Sequence, residues 1–471
     1  MAKFNREKVL RQLKFKRKWR SYSRYVYIAV PCVLCCLLCL YFAYSKFFVS
    51  EEQAVIRTTV GDFIYGDVVI GAYIDGEYSS TIPGKNDGYV VDKVSCENGA
   101  AGKWNNDDWG LLTTNLSKRT KCNVYFKKLT SKVPDIIAQL DTSGKCPTMN
   151  ADGSVNVTGV EATNGYLCKA KDVYGDSYYY RGNVTNNYVK FADKYWRIVR
   201  INGDGTVRVI YDGTSAHANG EASRDRQIGT SAFNSSYNDN AYVGYMYGQT
   251  GASTYADAHA NTNNSTIKTY IDNWYKTNIV GTTNEQYLAD NVFCNGRSIS
   301  SNKPTSNYNN LGYGTNVTAY RWYYGPWESV GYNSSMRLMC PQKNDAFTVS
   351  DITNGNGALT YPVGLLSADE IVLAGGWNAA NSGYYLYSGQ YWWASSPFDF
   401  TGNYARVRSI GSSGYANYSD YVNNNNGVRP VFNLKAEALK YGDGTASNPY
   451  RLTESLDNSS SSESGGIDTG D

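Results

Sequence analysis

The side chains best suited to chemistry in this 471-residue chain lie between Phe398 and Asn426. Phe398, Asp399, Phe400, Asn403, Tyr404, Tyr415, Asn417, Tyr418, Asp420, Tyr421 and Asn423 stand there among Ser and Gly. Tyrosine gives a large contact area at low entropic cost, while Asn and Ser adapt their hydrogen bonds. Aromatic rings also stack on sugar faces. The chemistry is that of binding, and these residues are the candidate ligand contacts. Arg406 and Arg408 would support or contact a ligand, whereas Arg429 is expected to pair inside the fold.

Material for covalent or acid–base catalysis is scarce. The two histidines, His217 and His259, sit in no recognisable motif. Asp369 and Glu370 are adjacent on a predicted helix, so they point apart, and Glu370 is claimed by capping. Trp104 to Asp108 (WNNDD) carries oxygen ligands that suit calcium, but a polar turn between strands explains it as well. No catalytic residue, metal or cofactor is expected. Cys96, Cys122, Cys146, Cys168, Cys294 and Cys340 contain no C-x-x-C, which disfavours zinc. Their even number suggests disulfides. The sequence does not choose among pairings; joining nearest neighbours gives Cys96–Cys122, Cys146–Cys168 and Cys294–Cys340.

The candidate contacts need elements to hold them. Tyr391-Trp392-Trp393 reads as a strand end that buries its indoles and is stopped by Ser395-Ser396-Pro397. Alternation predicts a strand over Ala405–Ile410, and Gly427–Leu434 returns to the core. Tyr195–Ile201 and Thr206–Tyr211 read as a hairpin about Asn202-Gly203-Asp204-Gly205. Residues 264–279 place Ile267, Ile271 and Trp274 or Tyr275 on one helical face, with Ser265 or Thr266 as cap. Residues 365–376 carry a capping box, Ser367 and Glu370, and end on Gly375-Gly376. The intervals 214–262 and 298–335 read as long loops.

Charge divides the chain unevenly. Residues 1–24 hold ten basic residues against Glu7 alone, a balance of +9 that leaves −6 for the rest of a chain whose total is +3. The acidic bulk argues against general affinity for nucleic acid. Val26–Tyr44 is uncharged and long enough to cross a bilayer, with tyrosines near its ends. The predicted organisation is a basic cytoplasmic head (1–24), a transmembrane anchor (25–47), a small β-rich domain (61–128), a main domain (130–437) and a disordered tail (454–471). Basic residues retained inside put the C-terminal bulk outside the cell membrane. A cleaved signal peptide is the rival for the apolar run.

YWWASSP, a spacer, then GVRPVFNL resemble the closing half of C-type-lectin-like domains of the formylglycine-generating-enzyme type, found in bacterial surface proteins. YWRIVRINGDGTVRVIYDG and YPVGLLSADEI are similar to stretches of that family, and the resemblance covers roughly 178–435. It implies an α+β fold, with a twisted antiparallel sheet and two helices. It brings no catalytic residues, because Cys294 and Cys340 do not align with the oxidase cysteines. It brings no calcium site either, since neither Glu-Pro-Asn nor Gln-Pro-Asp occurs. The segment also resembles variable regions of diversity-generating retroelement proteins. Their adenine-directed scrambling does not produce Lys, Glu, Gln, Met or Trp, and residues 398–426 contain none of these. The expected function is a membrane-anchored extracellular ligand-binding protein or adhesin with a protein or glycan partner. The alternatives are an exported hydrolase acting on envelope polymers and a structural envelope component.

Overall fold

The computed structural model describes residues 69–454, except 86, 106–107, 115–119, 301–321, 331–333, 378 and 402, together with Arg11 and Lys14. The predicted anchor at 25–47, nearly all of the basic head and the tail after Glu454 lie outside the described residues. The chain divides into two compact units, Met1–Leu129 and Thr130–Asp471.

The first unit is built on a four-stranded sheet in the order Glu77–Ser79, Val69–Ile74, Lys121–Lys128, Tyr89–Cys96. The first two strands turn at Asp75-Gly76, where both residues have positive φ, as a two-residue hairpin requires. Trp104 and Trp109 pack against Phe126, with ring centroids 5.2 and 6.1 Å away. Cys96 and Cys122 face each other in register and are bridged. The bridge reinforces a core too small to bury much apolar area.

The second unit holds two six-stranded sheets and several short strand pairs. The central sheet runs Val431–Leu434, Val207–Gly213, Lys194–Ile201, Gly175–Arg181, Tyr166–Asp172, with Tyr188–Phe191 also paired to Lys194–Ile201. The Asn202–Gly205 turn closes its central hairpin through the Asn202 amide bonded to the Thr206 carbonyl. The outer sheet runs Thr230–Ala232, Asn425–Gly427, Trp392–Phe400, Ala405–Ile410, Tyr418–Tyr421, with Trp322–Tyr323 also paired to Trp392–Phe400. Asn425–Gly427 and Val431–Leu434 therefore belong to different sheets, and Val428–Pro430 crosses between them. Arg429 fixes that crossing. It is fully buried and donates to Asp212, Tyr211 and Leu386.

Two helices are capped by the residues that signalled them. Ser265 accepts from the Lys268 amide to start Thr266–Asn278, which buries Ile267, Ile271 and Tyr275. Ser367 and Glu370 form the capping box of Ala368–Leu373. Glu370 also reaches the central sheet, taking Arg200 at 3.1 Å and Arg208 at 2.8 Å. Burial opposes its ionisation, but Arg208 and Arg200 prevail and hold it below the usual carboxylate range.

The expected fold class is corrected here. The molecule is 34% strand and 14% helix, spread over several sheets, rather than an α+β lectin-like domain with one twisted sheet. Among the described residues no helix is long and apolar enough to cross a membrane, and the predicted anchor at 25–47 lies outside them. The excess of strand comes in part from intervals that read as loop. Thr230–Ala232 and Met246–Tyr247 are short strands whose partners fix them. The three disulfides join Cys96–Cys122, Cys146–Cys168 and Cys294–Cys340, the nearest-neighbour pairing.

Candidate binding edge and an acidic cleft

The strand Trp392–Phe400 of the outer sheet is buried on both faces, which the sequence only half announces. Trp392 and Trp393 are buried, while Tyr391 beside them is 45% exposed. The strand then continues through Pro397 to Phe400 instead of stopping at Ser395-Ser396-Pro397. Register shifts on both sides of Pro397 accommodate the residue that cannot donate to the ladder. That extension carries two predicted contacts into the interior, and both are corrections. Asp399 is fully buried and Phe400 is 3% exposed. Asp399 lies opposite Arg406 on the neighbouring strand and takes it in a two-pronged pair, Nε to Oδ1 at 2.7 Å and Nη2 to Oδ2 at 2.5 Å.

Four more candidates are half-buried supports. Phe398 has the guanidinium groups of Arg406 and Arg408 4.9 and 5.0 Å from its ring centre. Asn417 accepts from buried Arg408, and Asp420 accepts from the Asn424 and Asn426 side chains. The Tyr415 carbonyl closes the turn at Gly411–Gly414. Asn403, Tyr404, Tyr418, Tyr421 and Asn423 are exposed.

The exposed rings form two groups. Tyr404 stacks on Tyr237 at 5.3 Å and meets Tyr421 at 5.1 Å. Tyr391 meets Tyr418 at 5.5 Å. Tyr421 lies opposite Arg406 and Tyr418 opposite Ser409. Side chains three apart on a strand point to opposite sides, so the expected single face is divided along this edge strand. Sequence reasoning missed Tyr237, which the fold brings to Tyr404 from a segment that read as loop. It also did not name Tyr391 as a contact.

A cleft of about 270 Å³ opens in the same unit, lined in part by Asp369, Ser329, Ser396, Pro326, Met339 and Arg337. Asp369 and Glu370 do point apart, and that divergence sends Asp369 here while Glu370 turns to the central sheet. Asp369 is only 8% exposed. Its Oδ1 accepts from the Arg337 amide at 3.0 Å, and its Oδ2 from the Ser329 hydroxyl at a long 3.4 Å. Burial raises its carboxyl to about 6, against the hydrogen bonds that favour the anion.

A family described as a domain of unknown function, DUF6273, matches residues 255–436. The matched part contains both capped helices, every residue that lines the cleft, and all the predicted contacts; Tyr237 and the strands from Tyr166 to Gly213 lie before it. No curated protein and no solved structure matches the chain.

Proposed function

We propose that the chain is an exported ligand-binding protein that engages an extracellular protein or glycan through the Tyr237–Tyr404–Tyr421 cluster. The observation that carries this reading is the cluster itself: three rings joined through Tyr404, which touches both Tyr237 and Tyr421, each 37–42% exposed. Exposed aromatic groups of this kind mark interaction sites more often than isolated apolar residues do. Three disulfides support an oxidising compartment outside the cytoplasm. Behind the cluster, the Asp399–Arg406 pair supplies a firm back, so little side-chain order has to be gained on binding.

Binding of the intact protein to a glycan array and to intact cells tests the reading. The double variant Tyr404→Ala, Tyr421→Ala is expected to lose most of the signal. Tyr78→Ala, at a 68% exposed tyrosine of the first unit, is the control and retains it. Equal loss in both, or no loss in the double variant, removes the cluster from the binding surface.

A further inference from the structure

The acidic cleft is independent of the tyrosine cluster, and its chemistry is more specific. Asp369 forms no ion pair with any described residue, unlike Asp212, Asp345, Asp399 and Glu370, whose burial is matched by arginine. A buried carboxylate without a cation is costly, and a ligand that supplies one relieves the cost. Oδ2 has room for such a donor, since its one hydrogen bond among the described residues is long. The cationic side chain on the cleft wall, Arg337, is already engaged by Asp152. Arg408 acts on Asp369 only through its field, and its guanidinium is held by Asn417 and the Pro326 carbonyl. Glu370 beside it is neutralised by Arg200 and Arg208.

The walls complete the description. Pro326, Met339, Pro341 and the Cys294–Cys340 bridge present apolar surface, and Ser396 adds a hydroxyl. An aliphatic stem would pack against these walls with its charged head at the carboxylate. We propose that this cleft is a recognition pocket for a primary ammonium group on an aliphatic stem, the side chain of a lysine in a peptide or protein ligand. A divalent cation is a poorer fit, because a hard cation wants several oxygen ligands and the cleft offers one carboxylate.

The probe is Nα-acetyl-lysine methylamide, titrated into the intact protein by calorimetry or by chemical-shift mapping. Saturable binding is expected near neutral pH, with none for the norleucine counterpart, which keeps the stem and lacks the charge. Asp369→Asn is expected to weaken the lysine probe by roughly tenfold or more. Met339→Ala should weaken it less. Lowering the pH through the raised carboxyl range of Asp369 should also weaken it, because the protonated acid no longer offers a charge. Tyr404→Ala should leave the affinity unchanged, which separates this pocket from the tyrosine cluster. The proposal is overturned if norleucine and lysine probes bind alike, if Asp369→Asn binds as well as the parent, if a methyl glycoside binds in the lysine probe's place, or if nothing binds. Should Asp369→Asn fail to fold, the norleucine comparison and Met339→Ala decide.

Discussion

The central sheet and the outer edge strand use the same residues to opposite ends. In the central sheet Tyr179 and Tyr180 are buried, and Arg226 and Arg429 share the fully buried Asp212 at 2.8 and 2.9 Å. At the edge, Tyr404, Tyr418 and Tyr421 stand about two-fifths exposed, and the arginine behind them, Arg406, is tied to Asp399. Tyr, Arg and Asp thus build an interior in one place and a contact surface in the other. Neighbours and register decide the role, not residue type. A tyrosine with strands on both sides becomes packing; one on the last strand of a sheet becomes surface.

The contrast can be broken most severely at Asp212. Asp212→Ala leaves three buried guanidinium groups, Arg197, Arg226 and Arg429, without their shared carboxylate, and a loss of about 3–5 kcal/mol is expected in chemical denaturation. A change close to zero would mean the buried charges are not what holds the central sheet. Asp369→Asn should act in the opposite direction. Its carboxyl stands at about 6 in the folded chain against 3.8 for the free group. The folded state therefore binds the proton more tightly than the unfolded one. Between those values stability falls as pH rises, and above both the full penalty applies. The substitution is expected to stabilise by about 1–3 kcal/mol near neutral pH and to do little near pH 4. Thermal melts at the two pH values check it, and a gain that does not depend on pH would contradict the stated cause. Ser265→Ala removes the cap of Thr266–Asn278 and should cost about 1 kcal/mol. Tyr404→Ala, at the far end of the scale, should change stability by less than about 0.5 kcal/mol while reducing ligand binding. A large destabilisation there would erase the distinction between edge and interior.

What was legible in the sequence follows from range. The Asn202–Gly205 turn, the Ser265 and Ser367 caps and the Ala405–Ile410 strand are written within a few residues, and each is found. The disulfides join neighbours along the chain, a pairing the sequence offered without selecting it. The strand through Pro397 was not legible, because register shifts depend on the partner strand and not on the proline's own neighbours. That single error moved Asp399 and Phe400 from the surface to the interior. Two-residue strands such as Met246–Tyr247 exist only because Asn263–Asn264 lies alongside. Asp369 looked inert for a related reason. Sequence showed that it diverges from Glu370, but not that a cleft formed by residues from Cys294 to Ser396 waits on its side.

The crossing at Val428–Pro430 has a mechanical consequence. Tension applied at Tyr421 would run through the short loop to Asn425–Gly427, past the Arg429 anchor, and into Val431–Leu434. There the strand is hydrogen-bonded to Val207–Gly213, with bonds lying across the line of pull. Those bonds would be loaded together in shear, and would not peel one at a time. A load path arranged in this way meets the sheet at its edge strand, where the Val431–Leu434 bonds to Val207–Gly213 resist together.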